Sequence, residues 1–178
     1  MSTVCVHGLG HIGLPTAAML AEAGHEVVGC DTSPAVVALV AAGRAGFREP
    51  GLDALLVRVL RDGRLSAQTR PASAAFHLIA VPTPCTAGQL PDLRCVEAAT
   101  DALAPLLRAG DTVILESTVP VGTTEALAAR LLDDPVTYAA MARPVFPFGD
   151  GSASRRIADA IEDWARTRNA SSALMVAE

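Results

Sequence analysis

The chain has 178 residues, 51% of them apolar, and a formal charge of −5. That length fits one domain with apolar material enough for a core, which excludes a disordered chain. The acidic balance excludes a basic face built for nucleic acid or for an anionic membrane.

All 14 basic residues are arginine, so the chain contains no lysine. A lysine Schiff base, a lysine general base and a P-loop lysine are therefore excluded. The 34 alanines beside those arginines are what a GC-rich genome encodes. The cysteines are Cys5, Cys30, Cys85 and Cys95, with no CxxC pair. Linear spacing thus argues against a structural zinc site and for buried or half-buried free thiols in a reducing cytoplasm. His7, His11, His25 and His77 show no metal-ligand spacing either; His77 reads as a satisfied core histidine and His25 as a surface contact at a helix end. No signal peptide is visible, and no apolar run approaches the roughly 18 residues of a membrane span.

In chain order, Thr3 to Leu9 is a short β-branched apolar run that predicts a buried strand. Glycine punctuation follows, then a helix with Pro15 in its first turn and Gly24 at its end. Glu26 to Asp31 predicts a second buried strand, completing a βαβ unit. Ser33 can cap a helix from Pro34 to about Ala42, and a loop from Arg44 to Gly51 leads into a helix ending near Arg61. Leu65 to Thr69 and Phe76 to Val81 predict strands, the second stopped by Pro82-Thr-Pro84. A helix is expected over about Leu93 to Arg108, bent or shortened by Pro105. Thr112 to Glu116 predicts a strand and Gly122 to about Leu132 a helix. Further on, Pro135 to Met141 and Ser172 to Val176 read as strands and Ser154 to Arg168 as a helix. Alternating strands and helices predict an α/β fold with a doubly wound, mostly parallel sheet of Rossmann type. Residues 1–133 form that domain, and 134–178 a divergent continuation of it.

Gly8-Leu-Gly10-His-Ile-Gly13 is a GxGxxG between a predicted strand and a predicted helix. Gly8 suits the tight turn, Gly10 lets backbone approach a pyrophosphate, and Gly13 lets helix and strand pack closely. The helix start then favours phosphate. Asp31 closes the second strand, 18 residues after Gly13. A carboxylate there accepts the adenosine ribose hydroxyls and repels a 2′-phosphate, and Thr32-Ser33-Pro34 supplies no arginine for that phosphate. NAD is the expected cofactor. The alternative is a structural glycine turn with Asp31 as a helix cap.

Four segments in order widen the pattern: Gly8 to Ala17, Phe47-Arg-Glu-Pro-Gly-Leu52, Val81-Pro-Thr-Pro84 and Glu116-Ser-Thr-Val-Pro-Val-Gly-Thr-Thr124. Together, over about residues 3–133, they resemble the UDP-glucose/GDP-mannose dehydrogenase family, and the Gly-Leu-Pro-Thr-Ala run looks most like its UDP-N-acetylmannosaminuronate branch. The resemblance implies NAD-dependent oxidation of the C6 alcohol of a UDP-sugar to a carboxylate, as in polysaccharide biosynthesis. It implies that His11 and Ile12 lie against the dinucleotide and that Asp31 holds the ribose. It places Thr83 and Thr118 near the nicotinamide, with Thr118 also positioning a catalytic water. Turn-stabilising hydroxyls are the other reading of both threonines.

The resemblance decays after residue 133. Where the family carries a catalytic Glu, this chain has Arg143 or Pro144. The family's Lys has no counterpart, the only Asn is Asn169, and no cysteine lies in the Gly-Gly-Cys-like context of the family nucleophile. Two readings follow. One is the NAD-binding part of a nucleotide-sugar dehydrogenase, incomplete alone, which takes its sugar only with a complementing C-terminal half. The other is a catalytically inactive NAD-binding pseudoenzyme or interaction module. Homo-oligomerisation or a partner subunit would cover apolar surface that the open sheet leaves.

Overall fold

The computed structural model describes residues 2–131 apart from Gln89. These lie in the first of two compact units, Met1–Tyr138. The expectations for residues 134–178, including the domain break at 133, the two late strands and the late helix, fall outside the described residues.

The elements are β1 (Thr3–His7), α1 (Gly13–Glu22), β2 (Glu26–Cys30), α2 (Pro34–Ala41) and α3 (Leu52–Arg61). After them come β3 (Leu65–Gln68), β4 (Phe76–Ile79), α4 (Arg94–Leu103), β5 (Thr112–Leu115) and α5 (Thr123–Leu131). The five strands form one sheet in the order β3-β2-β1-β4-β5, and every pairing is parallel. The order steps outward from β1 on both sides, so β1 and β4 flank the crevice where a doubly wound sheet receives a ligand. The expected fold class is what forms.

Strand alternation divides the sheet into two faces. Val4, Val6, Val27 and Leu78 face one core, packed with Leu14, Ala17 and Ala18 of α1 and Leu56 and Val59 of α3. Small residues on α1 let that helix sit close to the strands. On the opposite face Cys5, Cys30 and Ala74 form a small separate cluster. Helix α4 packs on β4 and buries Val96, Thr100 and Leu103. Strand β5 is only half covered.

The local signals act where expected. The Ser33 hydroxyl accepts from the Val36 N–H at 3.5 Å, with Pro34 opening α2. Gly24 follows the end of α1 at φ +100°, a left-handed conformation in which glycine carries no Cβ penalty. Four expectations need correction. Strand β1 stops at His7, because Gly8 turns to φ +94° and takes Leu9 with it. Strand β4 stops at Ile79, two residues before Val81. Helix α4 ends at Leu103, short of the expected bound near Arg108, and the shortening is the one expected of Pro105, which has no N–H to continue the ladder; Ala104–Leu106 tightens into a 3₁₀ turn. Of the four thiols, Cys85 and Cys95 are exposed and only Cys5 and Cys30 are buried. No helix among the described residues is long and apolar enough to cross a membrane.

Candidate functional site

The glycine turn joins β1 to α1 at the carboxyl end of the sheet. The Gly8 N–H donates to the Cys30 carbonyl at 2.8 Å, which ties the turn to β2. A Cβ on Gly8 would stand 2.7 Å from the Ala80 carbonyl oxygen, so this position has no room for a side chain. A Cβ on Gly13 would run into the Gly8 carbonyl oxygen. Gly10 is different: a Cβ there would meet no protein atom within 4 Å. Glycine at Gly8 and Gly13 is thus demanded by the fold. At Gly10 the fold makes no such demand, and glycine leaves the turn open on its exposed side.

Asp31 stands beside this turn. One carboxylate oxygen accepts the Leu9 N–H at 3.0 Å and the other accepts the Ser33 N–H at 2.9 Å. Those bonds fix the carboxylate, and each oxygen keeps a further lone pair for a hydroxyl donor. Gly8 and Asp31 line one cavity of about 680 Å³, together with Thr32, Val81 and Pro82. Its far wall is the face of α4 that carries Cys95, Ala98 and Ala99. Arg70 and Arg94 line it too. Arg94 is already held by Asp92, which it grips through Nε at 2.9 and 3.0 Å. Arg70 reaches the cavity from just beyond the end of β3, far in sequence from the Thr32-Ser33-Pro34 stretch that directly follows Asp31.

Helix α1 begins with no side-chain cap at Ile12 and no acidic residue in its first turn, so its positive end is uncompensated. Ile12 is 58% exposed. His11 is also exposed, and its ring stacks on Phe47 with centroids 4.1 Å apart. Phe47 was visible in the sequence only as part of a motif; its contact with His11 was not.

Thr83 and Thr118 come together at the ends of β4 and β5. The Thr83 hydroxyl donates to the Thr118 carbonyl at 2.8 Å, and the Ser117 hydroxyl donates to the Val81 carbonyl at 2.8 Å. In this link Thr118 contributes its main chain, which leaves its exposed side chain free of that bond. Neither threonine lines the cavity beside Asp31.

One histidine expectation is corrected: His77 is buried but only half satisfied, since its Nδ1 lies 3.2 Å from Nε2 of His7 while its Nε2 has no partner among the described residues. His25 is half-buried and makes the helix-end contact expected of it, its N–H closing α1 onto the Leu20 carbonyl. Burial, reinforced by the neighbouring His77, holds His7 down at about 4. Burial also pushes the Cys30 thiol up to about 11, with Cys5 and Asp31 adding to the effect.

Comparison with known proteins places this geometry. Residues 2–143 match the UDP-glucose/GDP-mannose dehydrogenase family, NAD binding domain. The chain is 48% identical over 126 residues to an NDP-N-acetyl-D-galactosaminuronic acid dehydrogenase of Ralstonia nicotianae, covering 71% of this chain and 30% of that one. It is 46% identical over 132 residues to a UDP-N-acetyl-D-mannosamine dehydrogenase of Campylobacter jejuni, covering 74% and 32%. Among solved structures, the UDP-D-ManNAc dehydrogenase of Pyrococcus horikoshii superposes with a TM-score of 0.71 at 37% identity, over 80% of this chain and 34% of that one. A ternary complex of the GDP-mannose dehydrogenase of Pseudomonas aeruginosa gives 0.66 at 31% identity, over 72% and 31%. The chain therefore spans about a third of the length of the relatives it matches. With its parallel sheet, its glycine turn and its Asp31, the chain belongs to the UDP-glucose/GDP-mannose dehydrogenase family and carries that family's NAD-binding domain.

Proposed function

We propose that the chain is the cofactor-holding part of a nucleotide-sugar 6-dehydrogenase, binding NAD across the carboxyl ends of β1, β2 and β4. One observation carries this reading: Asp31 both pins the glycine turn through Leu9 and faces the cavity that Gly8 lines. In this reading Asp31 accepts the adenosine ribose hydroxyls. Gly10 and the start of α1 receive the pyrophosphate. His11 and Ile12 lie along the dinucleotide, and the exposed apolar side chain of Ile12 supports that contact. Thr83 and Thr118 stand at the nicotinamide end, where the free Thr118 hydroxyl is available to orient a water. NAD bound there supplies the hydride acceptor for oxidation of a C6 alcohol. The nucleotide sugar is held by a complementing C-terminal half or a partner subunit, and the setting is the cytoplasm.

A second reading is an NAD-binding pseudoenzyme or interaction module, which shares these cofactor contacts and differs in turnover. One experiment separates the two. NAD binding is measured by calorimetry, and NADH formation is followed with a panel of UDP- and GDP-sugars, with and without the product of the neighbouring gene. NADH formation in any pairing supports the dehydrogenase. NAD binding with no NADH in every pairing supports the pseudoenzyme, and no NAD binding overturns both.

A further inference from the structure

Beneath the cofactor cavity, on the face of the sheet away from the main core, three donor-type side chains converge. Cys5 and His7 share that face of β1, and His77 on β4 is the register partner of Cys5. All three are buried, and their ligand atoms lie within 4.8 Å of one another. The ring nitrogens of His7 and His77 are 3.2 Å apart. Two imidazoles on one tetrahedral zinc, each bonded at about 2.0–2.1 Å, stand about 3.3 Å apart. The observed spacing, a hydrogen-bond distance, is close to that of a ligand pair, so the rings would need to move little to share an ion.

In the absence of an ion the two rings satisfy one nitrogen of each by hydrogen-bonding to each other. Thiol with imidazole is a soft donor set that favours zinc over magnesium or calcium. Of the three, His7 also lines the cavity, which is the side from which an ion would enter.

We propose that Cys5, His7 and His77 form a zinc site, with the fourth coordination position open to the cavity. On binding, the Cys5 thiol loses its proton to solvent and a Zn–S bond forms, while each imidazole gives a nitrogen lone pair without a proton change. The site uses none of the residues proposed to hold the dinucleotide, although His7 lines the same cavity as Gly8 and Asp31.

Cobalt tests the proposal, because a thiolate bound to Co²⁺ gives a charge-transfer absorption. The full chain is made with Cys30→Ala, Cys85→Ser and Cys95→Ser, so that Cys5 is its only thiol. The expected result is one Co²⁺ per chain with the thiolate band, displaced by one equivalent of Zn²⁺, and a melting temperature that rises with Zn²⁺. In the same background His77→Leu should weaken Co²⁺ binding at least about tenfold, since losing a ligand costs no less than losing a group that orients one. Absence of the band together with no metal retained on dialysis overturns the proposal, as does binding unchanged in a folded His77→Leu variant. Should that variant not fold, the parent titration decides alone.

Discussion

The glycines of the turn separate what the fold needs from what the ligand needs. Gly13→Ala puts a methyl group into the Gly8 carbonyl oxygen, which is main chain and cannot rotate away. Overpacking of this kind costs about 1–3 kcal/mol or more. For a chain of this size each kcal/mol lowers the melting temperature by about 2–4 °C, so a drop of at least a few degrees is expected. Gly10→Ala adds the same methyl group where no protein atom lies within 4 Å and where φ is not positive. Its stability should stay within about 1 kcal/mol of the parent, since only unfolded-state entropy changes. The methyl group does occupy the space proposed for the pyrophosphate. NAD affinity should therefore fall at least tenfold, or about 1.4 kcal/mol. Thermal melts and NAD calorimetry on the two variants check both halves. Unchanged NAD affinity in Gly10→Ala would refute the placement of the pyrophosphate. Equal melting temperatures for the two variants would refute the packing argument for Gly13.

Other outcomes follow from single contacts. Asp31→Ala leaves the Leu9 and Ser33 N–H groups without their acceptor, and Leu9 is 2% exposed. It should lose about 1–3 kcal/mol of stability in denaturant melts as well as NAD affinity by calorimetry. Leu56→Ala empties a fully buried position between α3 and the sheet and should cost about 2–5 kcal/mol in the same melts. Thr83→Val removes the hydroxyl bond to the Thr118 carbonyl, for a loss of about 0.5–1.5 kcal/mol, whereas Thr118→Ala keeps that bond and should leave stability nearly unchanged. Asp101→Ala breaks an ion pair with Arg130 that is about half exposed on both sides, so its effect on stability should stay under about 1 kcal/mol.

Much of the fold is legible in short stretches of sequence. The run before Gly8, the run ending at Cys30 and the glycines between them encode β1, β2 and the turn, because strand period and glycine conformation act over a few residues. The early end of α4 was also foreseeable, since the obstacle is Pro105 itself. Asp31 was identifiable by its distance from the turn, because a βαβ unit has a nearly constant length.

What the sequence determined by itself, then, is the set of elements, the parallel sheet, the glycine turn and the carboxylate beside it. The tertiary structure decided which residues meet. Cys5 and His77 are neighbours only because β4 pairs with β1, and Arg70 enters the cavity only because β3 lies beyond β2. His11 finds Phe47, and Thr83 finds the main chain of Thr118, across similar distances in sequence. Strand order is a choice made by the packing of the whole sheet, and no local periodicity carries it. For that reason three metal-type ligands with no recognisable spacing along the chain come to lie on one buried face.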